Sequence, residues 1–488
     1  MKIAFVTTEC VPYAKIGGLA DVAGALPKAL EKLGCEVKVF LPKYLNIDES
    51  KFGLHYNWAI SEMPIRINGI VHSVHLHQAK LPGSNVEVNF IDCPHYFNRG
   101  RIYTNDFDED ERFILFSKGV IESLQRFGWA PDIIHCNDWQ TSLIPLFIKD
   151  NYSWDKMFDK TATVFTIHNI GYQGRFSKST LLAAEIRGDL YYPNGPVEFE
   201  ESVSFMKTGI VFADIINTVS NKYSHEILTE EYGAGLHNVL RSRKQDVFGI
   251  LNGIDYEEWN PETDKFLPYK FSAKDLSGKT KNKKFLMEHF HLPFDEDKPL
   301  IGVVSRLVDQ KGFDIFSGAI NDLMSLDAKW IVLGSGEYKY ESFFNELPQH
   351  FPGKIRTYIG YNNELSHLVE AASDIFVMPS RYEPCGLNQI YSLKYGTVPV
   401  VRKTGGLADT VKDWDEEKHI GFDHGNGFSF YDYTSFALFK SVERAVNAFN
   451  EKSIWKKIQQ NGIKLNFSWG KSAEKYMELY KLAKEKIE

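Results

Sequence analysis

Short apolar runs alternate with longer amphipathic stretches along nearly the whole chain, and no other feature restricts its fold as strongly. In the first half the runs are KIAFVTTE, EVKVFLP, VEVNFID, DIIHCND, TATVFTIHN and DIINTVS. In the second half they are PLIGVVSR, AKWIVLGSG, IRTYIGY, DIFVMPS and TVPVVRK. Continuous apolar strands separated by helices describe β-α units and buried, mostly parallel sheets. In ERFILFSKGVIESLQRFG the apolar residues Phe113, Phe116, Val120, Ile121 and Leu124 recur at helical spacing. The closing segment WGKSAEKYMELYKLAKEKIE predicts another amphipathic helix, with Ala473, Tyr476, Leu479, Tyr480 and Ala483 on its stripe.

Between Leu251 and Lys283 the pattern stops. Prolines, glycines and charges without a helical stripe read there as a linker or hinge. The pattern then restarts, so the α/β chain divides into two doubly wound domains, 1–254 and 255–469. Ligands of such sheets bind at the carboxyl ends of strands, where the loops collect.

A formal charge of −8 argues against nucleic acid as a partner, because phosphate binding calls for a basic excess. The five cysteines, Cys10, Cys35, Cys93, Cys136 and Cys385, are scattered and form no C-x-x-C, which predicts neither disulfides nor zinc. MKIAFVTTEC reads straight into a strand without the features of a signal peptide. No apolar run is long enough for a bilayer, so a cytoplasmic protein without a membrane partner is expected. The acidic FDEDER (Phe107–Arg112) reads as a solvated helix start, and no carboxylate cluster has metal-ligand spacing. Neither metal nor cofactor is expected.

Two loops repeat the words Lys-x-Gly-Gly-Leu-Ala-Asp: KIGGLAD from Lys15 and KTGGLAD from Lys403. Neither is a P-loop or a dinucleotide fingerprint. Adjacent glycines at a helix start admit a ligand close to the backbone, and free N–H groups there attract anions. Lys15 with Gly17 and Gly18, and Thr404 with Gly405 and Gly406, are therefore candidate phosphate or sugar contacts. In SRLVDQKG, Arg306 and Lys311 flank a strand-end turn and suit a diphosphate. In PSRYEPCGLNQ, Glu383 can accept hydrogen bonds from sugar hydroxyls, and the amides of Cys385, Gly386 and Leu387 can donate to oxygens. Asp138, His168 and Asn169 stand at strand ends of the first half and face the same kind of site.

Together KIGGLADV, HCNDW, TIHNIGYQG, ILNGIDYEEWNP, SRLVDQKG, IGYNNELSH, PSRYEPCGLNQ and RKTGGLADTV resemble the bacterial glycogen synthases and plant starch synthases, glycosyltransferase family 5. The likeness runs from the first strand to about Val411. It implies a GT-B fold, two Rossmann-like domains facing across a deep cleft, with the terminal helix 470–488 packing back on the N-terminal domain. It implies retaining transfer of glucose from ADP-glucose, or UDP-glucose, to the non-reducing end of an α-1,4-glucan such as glycogen or a maltooligosaccharide. Carried over, Lys15 closes on the donor, His168 contacts the transferred glucose, and Arg306 and Lys311 activate the leaving diphosphate. Glu383 binds the glucose hydroxyls and Tyr361 stacks on the base, while Asp21, Asp138, Asn169 and Asn252 fall in matching motifs. A second glutamate found in the related family 4 is replaced by Tyr391, which favours family 5. The alternatives are another GT-B transferase with a different acceptor and an inactive glucan-binding scaffold.

Overall fold

The computed structural model describes residues 1–487. The chain forms two compact units, Met1–Gly253 with the residues from Trp469 onward, and Ile254–Ser468.

The strands of the first unit are β1 (Lys2–Val6), β2 (Glu36–Pro42), β3 (His55–Tyr56), β4 (Met63–Ile67), β5 (Ile70–Lys80), β6 (Glu87–Asp92), β7 (Ile133–Asn137), β8 (Ala162–Ile167), β9 (Arg175–Phe176), β10 (Glu198–Phe199), β11 (Ser202–Ser204), β12 (Ile215–Thr218) and β13 (Val247–Gly249). The main sheet runs β13-β12-β8-β7-β1-β2-β6-β5-β3, with β4 paired to β5, while β9 to β11 form a small sheet of their own. From β13 to β6 every pairing is parallel. Ile3 lies opposite Val37 on one side and Ile133 on the other, and all three are buried. The antiparallel edge was not among the expected strands. It is a hairpin, turning at Asn68 and Gly69 with φ of 49° and 79°.

The helix Trp469–Glu485 completes this unit. The side chains of its predicted stripe are buried, and its tyrosines end on the sheet: the Tyr480 hydroxyl bonds His135 Nδ1 at 2.8 Å and that of Tyr476 accepts from Asn217 at 3.1 Å. Burial of each large apolar side chain contributes about 1.5–3 kcal/mol.

The second unit contains β14 (Leu300–Leu307), β15 (Lys329–Gly336), β16 (Ile355–Ile359), β17 (Ile375–Met378), β18 (Val398–Arg402) and β19 (Phe428–Phe430). All run parallel, in the order β16-β15-β14-β17-β18-β19. The chain leaves the central β14 toward one edge, then returns to lay β17 on its other side. In the first unit β1, between β2 and β7, marks the same reversal. Loops diverge at such a point and leave a crevice at the strands' carboxyl ends.

Two sequence expectations fail. The segment Phe107–Arg112 is not a solvated helix start. Phe107 is 98% exposed, whereas Asp108, Glu109, Asp110 and Arg112 are buried at the start of the helix Glu109–Phe127. Each charge has its own partner: Arg99 grips Asp108 with both guanidinium nitrogens, Arg112 pairs with Glu109 at 2.7 Å, and Thr180 donates to Asp110 at 2.6 Å. Nor is Leu251–Lys283 a free linker. From Ile254 it belongs to the second unit, where Leu267 and Phe271 pack with Leu286 and Met287. Trp259 lies between the rings of His367 and Tyr391, 3.7 Å from each, and Asp264 accepts from His367 and Tyr395 at 2.8 and 2.6 Å. Side-chain anchoring replaces secondary structure up to Leu276, after which the helix Ser277–His289 takes in the last residues of the segment.

The buried Arg112 also donates to the carbonyls of Tyr96 and Ile102. Arg112→Leu should therefore take the cation from the buried Glu109 carboxylate, leaving it the Thr104 amide and hydroxyl, and remove a donor from both carbonyls, at a cost of about 3–5 kcal/mol. Urea unfolding of the purified variant measures this loss.

Candidate active site

At the reversal between β14 and β17 the second unit has a pocket of about 200 Å³, lined among others by Arg306, Lys311, Ser380 and Asn388. Arg306 projects from the end of β14, exposed, and its guanidinium has no partner among the described residues. Lys311 ends a short 3-10 turn, Asp309–Lys311, and its ammonium lies 2.6 Å from Glu383 Oε2. Ser380 Oγ donates to the same oxygen at 3.0 Å. Glu383 is buried, so its charge is held by a cation and a hydroxyl rather than by water. Tyr361 follows β16 and is 79% exposed, a ring open to a stacking partner.

The local backbone explains why these groups meet. Gly312 has φ +80°, and a Cβ there would lie 2.0 Å from the Pro379 carbonyl oxygen. Glycine thus lets the β14 loop rest on the β17 loop and brings Lys311 to Glu383. On the other side, a Cβ on Gly405 would come within 1.9 Å of the Glu383 carbonyl oxygen, and one on Gly406 within 2.0 Å of that of Cys385. Gly406 N–H instead donates to the Glu383 carbonyl at 3.1 Å. Thr404 stands at the N-cap position of the helix Gly405–Thr410, and Cys385 is buried. The amides of Gly386 and Leu387 have no acceptor among the described residues. In the second unit, then, the predicted Arg306, Lys311, Glu383, Cys385–Leu387 and Thr404–Gly406 surround one neighbourhood.

The first unit gathers Asp138, His168 and Asn169 at the ends of β7 and β8. Asp138 has φ +59°, uncommon for an aspartate, and its carboxylate accepts from the His168 amide at 2.8 Å. Burial pushes its pKa up to about 7, against the hydrogen bonds from the His168 and Asn169 amides and with help from the charge of Glu9. His168 Nε2 lies 2.9 Å from Asn137 Oδ1, while Asn137 Nδ2 donates to the Val6 carbonyl at 3.0 Å. Nε2 therefore carries the proton and Nδ1 is left as an acceptor. Burial lowers the His168 pKa to about 3, so the ring is neutral at physiological pH.

The first Gly-Gly loop departs from expectation. Its Ile16 and Gly17 amides are taken by Glu9 Oε2 of the same chain, at 2.6 and 2.7 Å, and are not open to an outside anion. Tyr103 donates to Glu9 Oε1 at 2.7 Å. The exposed Lys15 pairs with Asp21 at 2.6 Å. Gly18 opens the helix Gly18–Lys32, and a Cβ at Gly17 or Gly18 would meet nothing within 4 Å. Beside the loop lies a pocket of about 420 Å³ whose lining includes Lys15, Asn46, Arg99, Arg101 and Tyr103. Asn252 is buried, and its Oδ1 finds no donor among the described residues. Sequence reasoning missed Glu9, Tyr103 and Ser380. The acid of TTEC, just ahead of a glycine loop, was the available signal for the first; nothing local marks the other two.

Two Rossmann-like sheets, each with polar groups at its strand-order reversal, are the architecture of the GT-B fold class. Residues 2–242 match the starch synthase catalytic domain and residues 286–464 the glycosyl transferases group 1 family. The chain is 43% identical to the glycogen synthase of Thermosipho africanus, over the full length of both, and 43% identical to that of Koribacter versatilis over 99% of each. It superimposes on the catalytic domain of starch synthase IV from Arabidopsis thaliana, bound to ADP and acarbose, with a TM-score of 0.91 and 35% identity across 99% of both chains. A sucrose-phosphate synthase from Thermosynechococcus elongatus, at TM-score 0.59 and 16% identity, shares the fold. The chain belongs to the glycogen and starch synthase family of retaining glycosyltransferases. No described helix is long and apolar enough to cross a membrane.

The raised pKa of Asp138 has a definite sign. Between its unfolded value near 4 and its folded value of about 7 the folded state holds a proton that the unfolded state has lost, so stability falls as pH rises through that window. Asp138→Asn should flatten this part of the stability profile, as thermal melts at stepped pH would record.

Proposed function

We propose that this chain lengthens α-1,4-glucans, moving glucose from ADP-glucose to the non-reducing end of glycogen or a maltooligosaccharide with retention of configuration. One observation carries the reading: Arg306, unpaired among the described residues, lines one pocket at a strand-order reversal with Lys311 and Ser380, the two groups that hold Glu383. Cleavage of a glycosyl–phosphate bond builds positive charge on the sugar ring and negative charge on the departing phosphate. In our reading Arg306 grips the diphosphate with its planar donor set, and Lys311 exchanges part of its contact with Glu383 for a phosphate oxygen. Glu383 then holds the glucose hydroxyls, aided by the amides of Gly386 and Leu387, and Tyr361 stacks on the base.

The first unit takes the acceptor side. His168 Nδ1 accepts from a sugar hydroxyl, and the pocket lined by Asn46, Arg101 and Tyr103 receives the glucan end. The leaving phosphate itself takes the acceptor hydroxyl's proton on the same face of the sugar, which gives retention without a protein nucleophile. The glycogen synthase relatives and the ADP-bound starch synthase support both the acceptor and the adenine nucleotide.

Glucose transfer to glycogen, read as released nucleotide, should be faster from ADP-glucose than from UDP-glucose. Lys311→Ala and Glu383→Gln should each lower kcat by about a hundredfold to a thousandfold with the fold intact by circular dichroism. Full turnover in both variants would remove the pocket from the mechanism.

A further inference from the structure

Glu370 lies near the end of the helix Asn363–Ala372 and is completely buried. A carboxyl group withdrawn from water is costly, and an apolar side chain of similar volume would fill the place at lower cost. Its bonds show what it holds instead. Oε1 accepts from Asn388 Nδ2 at 3.1 Å and Oε2 from Ser392 Oγ at 2.7 Å. Both donors stand one turn apart on the helix Asn388–Lys394. Asn388 Nδ2 also reaches the Val304 carbonyl, at 3.4 Å, two residues before Arg306 on β14. The backbone carbonyl of Glu370 accepts from Thr397 at 2.6 Å, and the buried Lys279 donates to the same Thr397 hydroxyl at 2.6 Å.

The two helices joined in this way lead to opposite ends of the donor site. Asn363–Ala372 begins directly after Tyr361. Asn388–Lys394 begins directly after the 383–387 loop, and its Gln389 donates to the Cys385 and Gly386 carbonyls at 3.1 Å and to Thr410 at 3.2 Å. We propose that Glu370 is a positioning residue for the donor: by tying these helices to each other and to β14, it sets the spacing between the base-stacking ring and the diphosphate pocket. It touches neither end itself. The proposal rests on the nucleotide-sugar reading given above. Burial raises the Glu370 pKa to about 8, so at neutral pH the group is mostly the neutral acid; in that form its Oε2–H donates to Ser392 Oγ, as a glutamine Nε2 would, while Oε1 keeps the bond from Asn388.

Glu370→Leu in the full chain fills the space without making the bonds; Glu370→Gln keeps them. Calorimetric ADP binding and separate donor and acceptor KM values distinguish positioning from bulk stability. Glu370→Leu should weaken ADP binding and raise donor KM about tenfold while acceptor KM stays within about twofold, and Glu370→Gln should restore both. Wild-type ADP affinity in Glu370→Leu, or equal rises in donor and acceptor KM, would overturn the proposal. If Glu370→Leu does not fold, Ser392→Ala removes one tether outside the pocket lining. A loss of ADP affinity of about threefold is then expected, and an unchanged affinity overturns the proposal. Wild-type chain that fails to bind ADP would instead overturn the nucleotide reading, and this inference with it.

Discussion

In the second unit, main chain lies directly against main chain on both sides of the loop that follows β17. Gly312 admits the Pro379 carbonyl, Gly405 that of Glu383 and Gly406 that of Cys385, at separations no Cβ could share. These approaches weld the ends of β14, β17 and β18 into one rigid platform. The placing of Lys311 on Glu383 follows from them, since a long flexible side chain reaches a buried acid reliably only when both backbones are fixed.

The two Gly-Gly loops share words but not physics. In KTGGLAD the glycines are needed because another loop occupies the space where a side chain would stand. In KIGGLAD that space is empty, and the loop is shaped by Glu9, which caps the Ile16 and Gly17 amides. Their places in the sheets differ as well: one loop follows β1 at the reversal itself, the other follows β18, two strands from β14. A carboxylate on the first loop makes it a poor receptor for a second anion.

Much of this was legible in the sequence because it rests on periodicity and on loops at strand ends. The parallel strands, the stripe of the closing helix and the placing of Arg306 with Lys311 on one turn all follow from residues close together in the chain, whereas the meeting of Lys311 with Glu383 spans 72 positions. What was not legible depends on long-range pairing. In FDEDER the cations are close by, Arg112 as its own last residue and Arg99 nine positions before Asp108, but the Thr180 hydroxyl that completes the burial by meeting Asp110 comes 70 positions later. Trp259 and Asp264 pin an irregular segment to His367, Tyr391 and Tyr395, residues about a hundred or more positions away, so it resembled a linker. The hairpin of β4 and β5 is a different case: its Asn-Gly turn and the alternating burial of Met63–Ile67 are local signals of an antiparallel pair.

The central claim is that glycine-mediated backbone contact holds the loop after β17 in its binding form. Gly406→Ala tests it most directly. The residue has ordinary backbone angles, so the added methyl acts only through its collision with the Cys385 carbonyl. ADP titrated calorimetrically into this variant should bind at least about tenfold more weakly than to the wild type, with cooperative unfolding retained. Wild-type affinity in the Gly406→Ala protein would contradict the account.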